Sequence, residues 1–268
     1  MKIDYKIDFK HERITPFRIF GNLYYVGARF GTSHLIDTGE GLILLDTGLP
    51  QTLHLIVQSM WELGFDPRNI TYIIHSHGHY DHIGGTQALK ALSGAKTFIG
   101  SGDENYVNGK IDLTWAKELG YRYDETFEAD EIIHDGDVIK LGNTAITCLA
   151  TPGHSPGCIS YFFEVADGGK RYRVGMHGGI GINAMAKDFL DEYSLSYDCR
   201  EKFLAGLERL KHEHVDIFIG NHINNNDMER KYRQMLAGGQ NPFINDREWE
   251  IFLNQCRKNL LEMMEKEK

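Results

Sequence analysis

The sequence of 268 residues lacks several features that would place it in a specialised class of protein. It has only six prolines and four cysteines, and it carries no internal repeat or low-complexity tract. An unstructured chain would be poor in apolar residues, whereas this chain is 41% hydrophobic and 11% aromatic. The composition therefore excludes disorder and collagen-like fibres, and it predicts a globular chain with a sizeable core.

An excess of basic residues is also missing. The chain has 29 Lys and Arg against 38 Asp and Glu, which gives a formal net charge of −9. Binding to a nucleic acid relies on cationic side chains that neutralise phosphates. The charge balance therefore argues against a nucleic-acid partner and favours a small-molecule substrate.

Long apolar runs are absent as well. Nothing approaches the roughly 20 apolar residues that a membrane-spanning helix needs, and the charged start of the sequence, 1–17, does not resemble a signal peptide. The cysteines are widely spaced and form no C-x-x-C pair. From these absences we expect a cytoplasmic protein with reduced thiols and no membrane partner. The cysteines are Cys148, Cys158, Cys199 and Cys256.

The hydrophobic pattern predicts an α/β fold in which two groups of short strands are each followed by helices. Gly clusters mark turns, and no Gly/Ser-rich linker divides the chain, so we interpret 1–268 as one domain with a helical extension at about 245–268. The predicted strands are 17–21, 23–27, 33–37, 41–46, 70–75, 96–99, 138–141, 145–150, 159–165, 171–176 and 215–220. The predicted helices are 53–61, with an apolar stripe that ends at Trp61, and 86–92, 197–212 and 246–268.

The last predicted helix has an apolar stripe that includes Trp249, Leu253 and Leu260. Such a stripe usually packs into the core or against another helix, and less often it forms a dimer contact. The oligomeric state therefore stays open, with a homodimer as one alternative.

A histidine-rich segment, 75–85, carries the chemistry. It follows the predicted strand 70–75 and precedes a predicted helix, which is where α/β folds bind ligands. Residues two apart in extended backbone point to the same side, so His77 and His79 can bind one metal ion. Asp81 and His82 are adjacent and point elsewhere, which suits a second ion close by. A merely solvated polar loop is the weaker interpretation, because four crowded titratable groups need a cation or wide exposure.

Three further histidines are candidates of lower specificity. His75 lies on the predicted strand, where packing or support of the ligands is favoured over direct coordination. His154 stands between two Pro-Gly turn signals in TPGHSPG, 151–157, and His222 follows the apolar run that ends at 219. Either would be an ordinary surface histidine alone, but each can complete a ligand set with the histidine-rich segment.

Three motifs together resemble those of the metallo-β-lactamase superfamily. HGHYDHIGG, 77–85, resembles the H-x-H-x-D-H-x-G-G signature, while LLDTG, 44–48, and TPGHSPG, 151–157, resemble two supporting loops in the same order. The resemblance covers roughly residues 17 to 222. It implies a four-layer αββα sandwich of two mixed sheets flanked by helices, with two Zn²⁺ ions at one edge between the sheets.

The resemblance also implies roles for individual residues. Asp46 matches a position that supports the metal loop through hydrogen bonds without binding metal. The first ion would be bound by His77, His79 and His154, and the second by Asp81, His82 and His222. This ligand set looks most like that of the β-lactamase subclass with three histidines plus Asp/His/His.

The sequence departs from the family pattern at 174–180. Many members have an aspartate there that bridges both metals, but the segment here is VGMHGGI. Gly178 and Gly179 also replace the serines with which the similar β-lactamases bind a substrate carboxylate. His177 is either a polar contact at the mouth of the site or an ordinary residue at a strand end.

The preferred hypothesis is a dinuclear zinc hydrolase that attacks an amide or ester carbonyl, as β-lactamases do. Zinc lowers the pKa of bound water to roughly 7, and Asp81 would orient the resulting hydroxide as the catalytic residue. The alternatives are a lactonase or thioester hydrolase, a phosphodiesterase, a di-iron redox protein and a non-catalytic metal-binding module. Substrate specificity would come from the segments 30–34, 103–115 and 179–193.

Overall fold

The computed structural model describes residue 7 and residues 9–268. The first sheet has seven strands, which lie side by side in chain order. Neighbouring strands are antiparallel from the first to the fourth strand and parallel from the fourth to the seventh. The strands are β1 (Phe17–Phe20), β2 (Leu23–Tyr25), β3 (His34–Asp37), β4 (Leu42–Leu45), β5 (Ile70–Ile74), β6 (Lys96–Gly100) and β7 (Glu131–Ile133).

The second sheet has five strands in the order β12-β11-β10-β9-β8. Its neighbours are antiparallel except β11 and β12, which run parallel. The strands are β8 (Val138–Leu141), β9 (Thr144–Ala150), β10 (Ile159–Asp167), β11 (Lys170–Met176) and β12 (Ile217–Phe218).

Eight helices accompany the sheets within the described residues. They are α1 (Leu53–Glu62), α2 (Tyr80–Ile83), α3 (Thr86–Ser93), α4 (Glu104–Val107), α5 (Lys187–Glu192), α6 (Asp198–Leu210), α7 (Met228–Leu236) and α8 (Glu248–Lys266).

Alternation along the strands divides the core into three layers. On β10, Tyr161 and Phe163 face the space between the sheets, while Phe162 faces α6 and α8. On β4, Ile43 faces the other sheet, while Leu44 packs with side chains of α1 and α3. Because both faces of these strands are covered, β4 is apolar throughout, and β10 is largely apolar over its buried part, 159–163. The resulting order of helices, sheet, sheet and helices confirms the predicted four-layer αββα sandwich.

Most predicted elements are present, with shifted ends. The predicted strand 215–220 is reduced to β12, and the exposed three-residue strand β7 was not predicted. Trp61, which was placed on the apolar stripe of α1, is 64% exposed. The stripe of α8, including Trp249 and Leu253, is buried within this chain against α6 and β10.

The loops that carry Asp46, the histidine-rich segment and His154 meet at the edge where strands of both sheets end. Asp46 follows β4, the histidine-rich segment follows β5, and His154 follows β9. His222 follows β12 at the same edge. Among the described residues, none of the helices combines the length and the apolar character that crossing a bilayer requires.

Candidate metal centre

The histidine-rich segment changes conformation halfway. His77 and His79 lie in the loop after β5, whereas Asp81 and His82 lie in the one-turn helix α2. The extended part turns two imidazoles toward one point, with ring centroids 4.6 Å apart. The helical turn directs Asp81 and His82 to a neighbouring point. One short segment thereby contributes to two different clusters.

Two glycines let this segment pack tightly against the loop after β4. A Cβ at Gly84 would lie 2.2 Å from Cδ of Pro50, and one at Gly85 would lie 2.6 Å from the carbonyl oxygen of Thr47. Any side chain at these positions would push α2 outward. The backbone therefore approaches the loop after β4 closely at the start of α3.

The first group comprises His77, His79 and His154, whose ligating atoms lie within 4.8 Å of one another. The Nε2 atoms of His77 and His154 are 3.2 Å apart. His77 donates from Nδ1 to the carbonyl oxygen of Gly178 at 2.8 Å, and His154 donates from Nδ1 to that of Gly181 at 2.6 Å. A carbonyl can only accept, so both Nε2 atoms present a lone pair to the centre of the group.

The second group comprises Asp81, His82 and His222, again with ligating atoms within 4.8 Å. Asp81 Oδ2 lies 3.3 Å from Nε2 of His82 and 3.5 Å from Nε2 of His222. The groups are adjacent, because the rings of His77 and His82 have centroids 4.3 Å apart. The structure therefore brings all six residues named from the sequence into two neighbouring clusters.

Asp46 lies behind the second group. Its Oδ2 accepts a hydrogen bond from Nδ1 of His82 at 2.9 Å and another from Oγ of Ser76 at 2.7 Å. Its Oδ1 accepts from the backbone N–H of Ser76 at 2.7 Å. Asp46 adopts a left-handed φ of 58°, an unfavourable conformation for a residue with a side chain. These contacts match the supporting role that the family resemblance implies.

Burial keeps most of these imidazoles neutral. It lowers the pKa of His77 and His79 well below the usual value, and it lowers the pKa of His154 and His222 to about 4. A neutral imidazole is the form that binds a metal ion. The first group is therefore in the ligating protonation state at neutral pH.

The second group contains a charged pair. Burial opposes a charge on His82, but the carboxylates of Asp81 and Asp46 outweigh it and raise the pKa of His82 to about 10. Burial likewise opposes ionisation of Asp81, and the positive charge of His82 outweighs it and lowers the pKa of Asp81. The two carboxylates thus favour a positive charge at this point, which either a proton or a bound cation can supply.

The donor set fits a pair of divalent cations. Imidazole nitrogen and carboxylate oxygen are the donors that zinc takes, and three protein donors per ion leave a position for water or substrate. A structural zinc site would provide a fourth protein ligand. The number and type of donors in the two groups are therefore those of a metal site with an open position, and not those of a structural site.

His75 and His177 belong to neither group. His75 donates from Nδ1 to the carbonyl oxygen of Phe98 at 2.8 Å, and its Nε2 lies 2.7 Å from Oγ1 of Thr86. His177 is buried and accepts a hydrogen bond from the N–H of Gly179, and it packs near Phe203. His75 thus has the packing role favoured above, and His177 is a strand-end residue and not a contact at the mouth.

The glycine segment, 178–181, in which only position 180 is not glycine, explains the departure from the family pattern. A Cβ at Gly179 would lie 2.4 Å from Cδ2 of His154, and one at Gly181 would lie 2.7 Å from Cε1 of the same ring. A Cβ at Gly178 would lie 2.5 Å from the carbonyl oxygen of Ile159. The backbone thus packs directly on the His154 ring and leaves no room for a bridging carboxylate or for serines.

A cleft of about 530 Å³ opens over both groups. Trp115 forms part of its wall with a left-handed φ of 65°, and its ring stacks on Phe189 at a centroid distance of 5.2 Å. Arg29, a cation at this cleft, is paired with Glu229. The apolar lining residues are Phe30, Trp115, Leu119, Ile180 and Ile223.

Sequence reasoning missed two polar residues that support the centre. Asn221 donates from Nδ2 to the carbonyl oxygen of Gly178 at 2.9 Å, so it steadies the glycine segment behind His77. Asp103, which begins a segment assigned from the sequence to substrate specificity, is fully buried beneath the first group. Their contacts join segments far apart in the chain, and no local pattern signals them.

The sequence also matches the model of a known protein family. The family model described as the metallo-beta-lactamase superfamily matches residues 26–167, just over half of the chain. The chain is 27% identical over 219 residues to an N-acyl homoserine lactonase of Bacillus thuringiensis, a match that covers 71% of this chain and 80% of the relative.

Solved structures are similar over nearly the whole chain. The FEZ-1 metallo-beta-lactamase from Legionella gormanii is 30% identical with a TM-score of 0.87, covering 95% of this chain and 97% of that one. BJP-1, a subclass B3 metallo-beta-lactamase of Bradyrhizobium japonicum, is 27% identical with a TM-score of 0.83, covering 96% of each chain.

Proposed function

The chain belongs to the metallo-beta-lactamase superfamily, and we propose that it is a dinuclear zinc hydrolase that cleaves an amide or ester carbonyl in a β-lactamase-like manner. One observation carries this proposal. Two groups of three protein donors lie side by side on the floor of one cleft. Three donors per ion suit catalysis, whereas a closed set of four suits a structural site.

Each residue of the centre has a defined task in this proposal. The first group, His77, His79 and His154, would hold one ion, and the second group, Asp81, His82 and His222, would hold the other. When bound, the ions would supply an acidified water and polarise the substrate carbonyl. The ionised Asp81 at the cleft floor would accept a hydrogen bond from the attacking water and orient it.

The cleft supports a substrate with an apolar arm. Phe30, Trp115 and Ile223 line it, and burial of an apolar group there is favourable by about 25 cal/mol per Å². Arg29 is already paired with Glu229, and glycines stand where serines would bind a carboxylate. These features favour an uncharged arm over an anionic one.

Hydrolysis of a lactone is the second candidate. The similarity to an N-acyl homoserine lactonase and the apolar cleft favour it. The glycine segment disfavours it, because many esterase and lactonase members have a bridging aspartate where this chain has no room for one. We further propose a cytoplasmic location, which agrees with four cysteines that are all free thiols.

A metal count followed by a substrate panel tests the proposal. Elemental analysis is expected to give two zinc ions per chain, and β-lactams, lactones and thioesters assayed side by side are expected to include a substrate that is lost after chelation. Full activity of the chelated protein would refute the metal mechanism. A single tightly bound ion and no turnover would instead indicate the non-catalytic module.

A further inference from the structure

Asp103 is a buried carboxylate that belongs to neither group of donors. It lies in the turn between β6 and α4 and is fully buried. Its Oδ2 accepts hydrogen bonds from the backbone N–H of Gly78 at 2.7 Å and from Oγ of Ser155 at 2.5 Å. Its Oδ1 accepts a hydrogen bond from the backbone N–H of Gly157 at 2.7 Å.

All three donors belong to the two loops that carry the first group. Gly78 lies between His77 and His79, and Ser155 directly follows His154. Gly157 closes the same turn. The carboxylate therefore joins the loop after β5 to the loop after β9, at the point where each loop turns its histidines into the centre.

The surrounding backbone is shaped to admit this carboxylate. A Cβ at Gly157 would lie 2.6 Å from Cγ of Asp103, and one at Gly78 would lie 3.1 Å from its Cβ. Gly102 has a φ of 114°, and a Cβ there would lie 2.9 Å from Cβ of Pro156. Three glycines on three segments thus allow the close approach of this carboxylate.

A charge in this position is costly unless it is fully hydrogen-bonded. An ionised carboxylate loses several kcal/mol of hydration when it is buried, and charge-assisted hydrogen bonds offset that cost. Apolar side chains could join the same loops without this cost. A carboxylate also fixes orientation. Each of its oxygens sets the direction of the N–H group that donates to it, and therefore the position of the neighbouring histidine.

We propose that Asp103 is a positioning residue that holds the His77–His79 loop against the His154 loop and thereby sets the affinity of the first group for its ion. The inference rests on the proposed metal centre but not on any substrate. Asp103 touches neither the substrate cleft nor the second group. Asp46 supports the second group in a comparable way, because it accepts a hydrogen bond from His82.

The test measures metal binding to each group separately. H222A removes a donor of the second group and leaves the first intact, whereas H79A does the reverse. D103N is introduced into each background, and the affinity for Co²⁺ is measured by titration of the metal-free protein, followed by its visible absorption. Circular dichroism and thermal unfolding identify any variant that does not fold.

The expected result is selective. In the H222A background, D103N should lower the Co²⁺ affinity by about 10- to 100-fold, the usual effect of removing a group that orients metal ligands. In the H79A background, the affinity should change by less than about threefold. D130N is the control for loss of a carboxylate elsewhere, because Asp130 accepts the N–H and Oγ–H of Thr97, both at 2.8 Å, and pairs with Lys90 on the surface, away from the centre.

S155A keeps the inference testable if D103N does not fold. It removes one donor to the carboxylate and leaves the charge in place, so we expect a smaller loss, confined to the H222A background. Equal affinity losses in both backgrounds, or none in the H222A background, would overturn the inference. If the wild-type protein binds two ions but hydrolyses no substrate, the proposed function fails while this result still stands.

Discussion

The two ligand groups differ in what holds them. In the first group, backbone carbonyls orient His77 and His154, and all three donors are neutral imidazoles. In the second group, His82 lies between the carboxylates of Asp46 and Asp81, and the side chain of His222 is 31% exposed. The donors of the first group are therefore oriented by backbone carbonyls, and those of the second group by contacts with carboxylates. One sheet edge thus provides two chemically different sites for ions of the same charge.

This difference leads to an expectation about substitutions. Steric changes in the glycine segment should act on the first group, because carbonyl oxygens and glycines surround it. Changes of charge at residues that contact the donors directly should act on the second group, because a cation there balances two carboxylates. Asp103 differs, because it contacts only the loops that carry the first group.

The largest effect is expected from removal of a donor. H79A leaves two donors in the first group, and we expect the hydrolysis rate to fall on the order of 10³-fold with little change in fold. H222A should cost less, because His222 is the more exposed donor and Asp81 and His82 remain. The measurement is kcat/KM with metal content determined on the same samples. A larger loss in H222A than in H79A would reverse the assigned importance of the two groups.

A smaller effect is expected from G179A. The added Cβ would lie 2.4 Å from Cδ2 of His154, so the ring has to move, and we expect a loss of roughly 10²-fold in kcat/KM, typical of a misplaced reactive group. Metal should be lost from the first group only. G206A is the matched control, because a Cβ there meets its nearest neighbour at an ordinary 3.6 Å. Unchanged metal content in G179A would show that the glycine segment does not order the first group.

D46N tests the charge that holds the second group. The amide is nearly isosteric with the carboxylate but no longer favours a positive charge at His82, so we expect about a tenfold loss of metal affinity in the second group. In the H79A background the loss should appear in the Co²⁺ titration, and in the H222A background it should be absent. Equal losses in both would mean that Asp46 acts through Ser76 on the whole loop.

The sequence predicted the two groups well because the chemistry of the ligands is local. His77, His79, Asp81 and His82 fall within six positions, and their spacing follows from backbone periodicity. His154 and His222 were candidates because of their turn and strand-end positions, and the family resemblance assigned each of them to one group. The clusters of both groups in the structure agree with that assignment.

The supporting residues were much harder to predict. Asp103 accepts hydrogen bonds from residues 25, 52 and 54 positions away, and such contacts exist only after the two sheets have packed. The short helices α2, α4 and α5 and the strand β7 were missed because they have too few residues for a periodic pattern. The longer helix α7 was missed because its sequence, MERKYRQML, is mostly polar. Trp61 was misassigned because one apolar residue at the edge of a stripe can face solvent.

The smallest expected effect concerns the wall of the cleft above the first group. Trp115 has a φ of 65° and its ring centroid lies 6.2 Å from that of His79. Replacement by glycine relieves the left-handed strain while it removes the apolar wall, so the fold should tolerate W115G. If the wall binds an apolar arm, each methylene that loses contact costs up to about fourfold in kcat/KM.

The readout is the ratio of kcat/KM for γ-nonalactone to that for γ-butyrolactone. We expect W115G to lower this ratio while the value for the short lactone changes little, because metal binding is unaffected. W61A serves as the control, since Trp61 is 64% exposed on α1. An equal loss for both lactones would mean that Trp115 supports His79 instead of the substrate arm. The arrangement of the first group would then depend on contacts on the cleft side as well.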